Sequence, residues 1–188
     1  MLKPIVGIVA SAGGLQAFSK FLENMPADSG MAVVFVPHLS PDHASMMSVL
    51  LGRYSSMPVA EVEHGVHFLP NHVYVIPPNK YLDVLHGTAM LSGPVQRGIL
   101  RLNPLDRFLS SLASDQQANA IAIVLSGTMT LGTTGATQVK ASGGMVIAQL
   151  PTSAEQPGMP QSVIDKGIAD YILTPEEMPR FLLAYVGP

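Results

Sequence analysis

Two residues of this sequence stand where an apolar run gives way to a turn: Ser11 after Pro4–Ala10, and His38 after Met31–Val36 and one proline. A hydroxyl within reach of an imidazole is the minimum that makes a serine nucleophilic at neutral pH. In the first turn, Ser11-Ala-Gly-Gly14, two glycines permit close backbone approach. A helix opening behind them would aim free N–H groups and a positive dipole end at the mouth, a setting for a nucleophile beside an oxyanion hole. The residues themselves leave plainer roles open: Ser11 as a helix cap, His38 as a loop histidine bonded to backbone. The strict motif G-x-S-x-G fails at Val9, and a dinucleotide fingerprint begun at Gly7 fails at Val9 and Ala12. A third turn, Ser126-Gly-Thr-Met-Thr-Leu-Gly132, runs into Thr133-Thr134 with P-loop spacing, but Thr133 replaces the phosphate-binding lysine. Nucleotide hydrolysis is therefore disfavoured, and the glycines equally suit a bare tight turn. His38 and His43 are near one another in sequence, as are His64, His67 and His72, yet no dense set of carboxylates accompanies either group, so no metal site is expected.

These turns have to be positioned by the elements around them. Pro4–Ala10, a glycine turn and the helical periodicity of Leu15–Met25 predict strand, turn and helix. Met31–Val36 repeats the pattern, with Ser40 as cap and Pro41 opening a helix that carries Met46, Met47, Leu50 and Leu51. From about Pro58 to Pro94, short β-rich pieces broken by Asn-His, Pro-Pro-Asn and His-Gly predict an antiparallel excursion. Alternation then resumes: a helix over Pro104–Ala113, a strand over Ala120–Leu125, a helix over Thr133–Ala141 and a strand over Met145–Gln149. Thr174-Pro-Glu-Glu177 has the form of a capping box with proline at the first helical position, before a last helix through Phe181, Leu182 and Tyr185. The expected fold is α/β: a doubly wound, mostly parallel sheet with helices on both faces and a small antiparallel excursion around residues 58–94. In such sheets ligands bind beyond the carboxyl ends of the strands, where all three turns fall.

Composition narrows the function. In 188 residues, 47% hydrophobic and 12% charged content supplies one large core, so a single domain over 1–188 is expected. A net charge of −3 without basic runs disfavours nucleic acid and anionic membrane surfaces as partners. The absence of cysteine removes disulfides and thiolate catalysis and suits a reducing compartment. The apolar runs are too short to cross a bilayer and the N-terminus lacks a signal-peptide pattern, so a cytoplasmic location without membrane insertion is expected.

Taken in order, the turns resemble the catalytic domain of the CheB-type receptor-modification methylesterases of bacterial chemotaxis, especially the version fused to a methyltransferase. The resemblance covers nearly the whole chain. It is carried by Gly7-Ile-Val-Ala-Ser-Ala-Gly-Gly-Leu15, Val36-Pro-His-Leu-Ser-Pro-Asp-His43, Asn71-His-Val-Tyr-Val-Ile-Pro-Pro-Asn79, Leu125-Ser-Gly-Thr128 and Gly158-Met-Pro160. It implies hydrolysis of γ-glutamyl methyl esters on the cytoplasmic helices of methylated chemoreceptors, and deamidation of certain glutamines. Ser11 corresponds to the nucleophile and His38 to the general base, with Ala12, Gly13, Thr128 and Met129 as oxyanion and turn positions and no cofactor. A receiver domain usually precedes such a domain; here the sequence begins at the first catalytic strand, so a receiver or methyltransferase domain would belong to a longer protein.

One departure weighs against full activity. The third turn of the family reads L-[ST]-G-x-G-x-D-G, whereas Met129 and Leu131 occupy the places of its second glycine and its aspartate. Leucine neither accepts the imidazole N–H nor offsets its positive charge, and in serine proteases loss of the acid costs on the order of 10⁴ in turnover. Asp42, four residues beyond His38 and next to Pro41, better suits a helix N-terminus than the role of substitute acid. The expectation is an ester hydrolase with an impaired triad; the alternative is a degenerate receptor-binding or regulatory module of the same fold.

Overall fold

The computed structural model describes residues 4–38, 46–94 and 103–187. Strands β1 (Ile5–Ala10) and β2 (Ala32–Pro37) flank helix α1 (Gly14–Glu23), and α2 (Met47–Leu51) leads to β3 (Val59–Glu61) and β4 (His72–Val75). A hairpin of β5 (Tyr81–Leu85) and β6 (Thr88–Ser92) precedes α3 (Pro104–Gln116). Then follow β7 (Ile121–Val124), α4 (Thr133–Ala141), β8 (Met145–Gln149), α5 (Gly158–Asp165), β9 (Tyr171–Leu173) and α6 (Met178–Val186). Among the described residues, seven strands form one sheet in the order β3-β4-β2-β1-β7-β8-β9, with every neighbouring pair parallel. The fold is the expected doubly wound one. The antiparallel excursion is narrower than residues 58–94, because β3 and β4 join the main sheet and the antiparallel pairing lies in the β5–β6 hairpin and a bridge from His67 to Thr88.

Period-two alternation divides the buried strand residues between two cores. From β1, Ile5 and Val9 enter one core and Val6, Ile8 and Ala10 the other. The first core is covered by α3, α4 and α5 through Phe108, Leu109, Val139, Met159 and Val163; the second by α1 and α6 through Phe18, Phe21, Leu22, Met178 and Leu182. Gly7 explains how closely α3 lies on the sheet: a Cβ added there would be 2.6 Å from Leu112 Cδ2 and 2.9 Å from Phe108 Cε1. The hairpin is fastened to α3 by Ser111 Oγ, which accepts from the Val84 amide at 3.0 Å, and by Asp115, which accepts from the amides of His86 and Gly87.

Element ends differ in ways that have local causes. The N-cap of α1 is Gly13, left-handed at φ 75°, with no side-chain cap bond, so Ser11 does not cap the helix. Helix α3 runs on to Gln116. The expected start at Ser40 and Pro41 of the helix after β2 lies outside the described residues, as does Asp42; within them α2 starts at Met47. Only part of the Thr174 capping box forms: Glu177 Oε2 accepts from both the amide and the hydroxyl of Thr174, while Thr174–Glu177 makes a turn and the helix begins at Met178. Helix α5 and strand β9 had no clear signal: α5 contains an internal proline, and β9 is three residues long and largely exposed at the sheet edge.

Candidate functional site

The order of the sheet reverses at β1: the chain proceeds outward through β2 on one side and returns to pair β7 on the other. Crevices open beyond the carboxyl ends of strands at such a switch point. Ser11 is the first residue after β1 and His38 the first after β2. Ala10 pairs with Pro37 and the His38 amide donates to Ala10 O at 2.8 Å, so the register carries Ser11 opposite His38, at the roughly 4.8 Å spacing of neighbouring strands. Continued alternation gives both residues the face of Val9 and Val36, the α3/α4/α5 face. Ser11 is half-buried and His38 exposed, with no direct hydrogen bond between their side chains among the described residues. Catalytic contacts of this kind are commonly loose without substrate and tighten around it.

The third turn meets the same spot from β7. The Ser11 amide donates to Ser126 O at 2.9 Å, and a Cβ added to Gly127 would lie 2.9 Å from Ser11 Cβ. A side chain at 127 would have to displace the buried Met159, since the same Cβ would be 2.0 Å from Met159 Sδ. Gly132, left-handed at φ 83°, lies against Val9, where an added Cβ would be 3.1 Å from Cγ2. Beside it Leu131 is half-buried and packs against the core that contains Val9. The position where the sequence resemblance led one to expect an acid therefore faces hydrocarbon. Met129 takes a left-handed φ of 65°, a conformation suited to the glycine it replaces in the motif. The amides of Ala12, Gly13, Thr128 and Met129 have no backbone acceptor among the described residues, which leaves four such donors on the first and third turns.

A buried polar network, unmarked by the sequence reading, locks these turns together. Ser126 is fully buried; its Oγ donates to Ala12 O at 2.7 Å and accepts from the Gln156 amide at 3.0 Å. Gln149, the last residue of β8 and also buried, accepts from the Ser126 amide at 2.8 Å and donates from Nε2 to Ser153 O at 3.0 Å. The Gly127 amide donates to Gln156 O at 2.9 Å, and Gly127 O accepts from the Met159 amide at 2.8 Å. A glutamine closing an otherwise apolar strand was the available signal. Glu155 contributes an exposed carboxylate at the Gly13 turn, on the β8 side of the site, away from His38 in the strand order.

The remaining histidine groups do other work. His64 Nδ1 lies 3.1 Å from Leu91 O, His67 Nδ1 3.3 Å from Thr88 Oγ1, and His72 Nδ1 2.9 Å from Pro70 O. Among the described residues no cluster of three or more His, Asp or Glu is arranged to hold a metal ion, and His43 lies outside them. No helix there is long and apolar enough to cross a membrane.

Comparison with known proteins agrees with this fold. The profile of the CheB methylesterase family matches residues 6–182. The crystal structure of the Thermotoga maritima CheB methylesterase catalytic domain superposes with a TM-score of 0.89 at 30% identity, covering 98% of this chain and 100% of that one. A Thermotoga maritima protein-glutamate methylesterase/protein-glutamine glutaminase is 31% identical over 185 residues, which is 97% of this chain and 54% of that protein. An uncharacterized 104.1 kDa protein of Rhodobacter capsulatus is 38% identical over 140 residues, 74% of this chain and 14% of its own length.

Proposed function

The chain belongs to the CheB methylesterase family, and we propose on that basis that it hydrolyses γ-glutamyl methyl esters of proteins, with Ser11 as nucleophile and His38 as general base. The observation carrying this reading is that Ser11 and His38 directly follow the carboxyl ends of the adjacent parallel strands β1 and β2, at the reversal in strand order. Ser11 Oγ attacks the ester carbonyl as its proton passes to His38. The tetrahedral oxyanion accepts hydrogen bonds from amides among Ala12, Gly13, Thr128 and Met129. Collapse expels methoxide, which leaves as methanol with the proton from His38. Water, deprotonated by the same imidazole, then releases glutamate from Ser11. Replacing the ester with a primary amide gives the corresponding glutamine deamidation, with ammonia leaving.

The substrates that fit are methylated cytoplasmic helices of chemoreceptors, with the cytoplasm as the setting. The chain spans about half the length of two methylesterase/glutaminase relatives, 54% and 51%, and 14% of the Rhodobacter capsulatus protein. A receiver or methyltransferase domain in the same protein is accordingly part of the proposal. Ser11→Ala is expected to abolish methanol release from methylated receptor; an unchanged rate would refute the mechanism.

A second reading is favoured by one observation, the packing of Leu131 against the core beside Gly132. Without an acid to hold its tautomer and balance the charge that develops on it, His38 assists Ser11 poorly, and the domain then serves as a receptor-binding or regulatory module. The discriminating measurement is wild-type turnover against Leu131→Asp. Equal rates remove the basis of the degenerate reading.

A further inference from the structure

Met129 is a methionine where the turn's backbone favours glycine and the exposure favours a polar side chain. Its side chain is 73% exposed, the most exposed large apolar residue among those described, and its backbone is left-handed at φ 65°. Glycine or asparagine would occupy this conformation more easily, and a polar side chain would suit water better. Scattered exposed apolar residues are ordinary, but one held in an unfavourable backbone conformation at a candidate site calls for a role. The backbone is also braced: a Cβ on Gly158 would be 2.9 Å from Met129 N and 3.1 Å from Met129 O. Two residues earlier, Gly127 is fixed against Ser11 and bonded to Met159 and Gln156. The exposed thioether thus sits on a turn whose backbone is fixed against Ser11 and α5, with exposed Thr128 and Thr130 on either side.

We propose that Met129 is a specificity-determining residue that receives an apolar side chain three or four positions from the modified glutamate on the substrate helix. This rests on the reading above, that the substrate is a protein glutamyl ester presented on a helix. Residues three and four apart share one face of a helix, so a helix laying its ester over Ser11 brings such a neighbour to the rim of the third turn. Methionine suits the task because its flexible, polarizable side chain adapts to apolar partners of different shape.

The test uses the Ser11→Ala protein, so that binding is read without turnover, and helical peptides carrying a central glutamyl methyl ester. One peptide has leucine three and four positions from the ester and another has serine; a third carries free glutamate in place of the ester. The expected result is binding of the leucine peptide about 5–10-fold tighter than the serine peptide, a preference of the size that removing a few methylene contacts produces. Met129→Asn should abolish that preference and Met129→Leu should preserve it. Asparagine tolerates the left-handed conformation, so the Asn variant should melt no lower than its parent, which separates lost contact from lost fold. A leucine preference that persists in Met129→Asn overturns the inference. Ester preferred over glutamate, but with no leucine preference in the Met129 protein, also overturns it while leaving the proposed function standing. No preference for ester over glutamate overturns that function and this inference with it.

Discussion

At the scale of single residues the site is defined by one substitution and one network. Leu131 packs against hydrocarbon where the family motif has its aspartate, so the same change that restores an acid also places a carboxylate against apolar neighbours. Leu131→Asp is expected to raise methanol release by between 10² and about 10⁴, the range spanned by partial and full restoration of a triad acid. It should also lower stability by about 1–3 kcal/mol from burying a polar group. Steady-state kinetics and denaturant melts on the same variant check the two together, and a stability loss with no gain in rate would show that turnover does not depend on an acid at position 131. The network makes a different demand. Gln149 accepts the Ser126 amide with no water-facing alternative, so Gln149→Leu leaves a buried N–H unpaired, at a cost of about 1–3 kcal/mol. Because Ser126 holds both the Ala12 carbonyl and the Ser11 amide, that variant should also lose activity out of proportion to its stability, measured well below its melting temperature.

At the scale of elements, what could be read in advance was what periodicity and punctuation encode. Apolar runs such as Ile5–Ala10 and Met145–Gln149, and the amphipathic spacing of α1, identify the parallel core. Two short pieces, β3 and β4, have the same β-rich composition as the β5–β6 hairpin, and strand direction leaves no mark on composition. The turns that hold Ser11, His38 and Ser126 could be read from the sequence, while the bonds of Ser126 with Gln149 and Gln156 could not, because they join loops distant in sequence. Gly7 tests the packing of α3 on β1. Gly7→Val should destabilise by about 1–3 kcal/mol or more, since the branched side chain must displace Phe108 and Leu112. Thermal melts check this, and an unchanged midpoint would mean that α3 can lift from the sheet. Acid should loosen the entry to α6. The Thr174 amide and hydroxyl hold the Glu177 carboxyl below its usual range. Burial pushes Glu176 up, but its own backbone amide and Lys20 outweigh this and hold it low as well. A carboxyl lowered in the folded state stabilises above the glutamate value of 4.5 and ceases to do so as pH falls through its folded value. Melting temperature in Glu177→Gln should therefore fall less steeply than in the wild type between about pH 5 and pH 3.

At the scale of the whole molecule, the sheet separates two cores that meet the same central strand, and the site lies where that strand changes neighbours. Ser126 and Ala12, whose bond ties the third turn to the first, are 114 positions apart. Joining them requires β1 to pair with β7 across most of the chain, after the local units β1-α1-β2 and β5-β6 are available. Loop closure of this length is slow, and parallel pairing cannot be seeded by a hairpin. The crevice thus has a kinetic history: in refolding, helical signal should recover before Ser11 acquires its Ser126 and Gly127 neighbours. A Ser11-directed probe such as an organophosphate should begin to label only in the slowest phase.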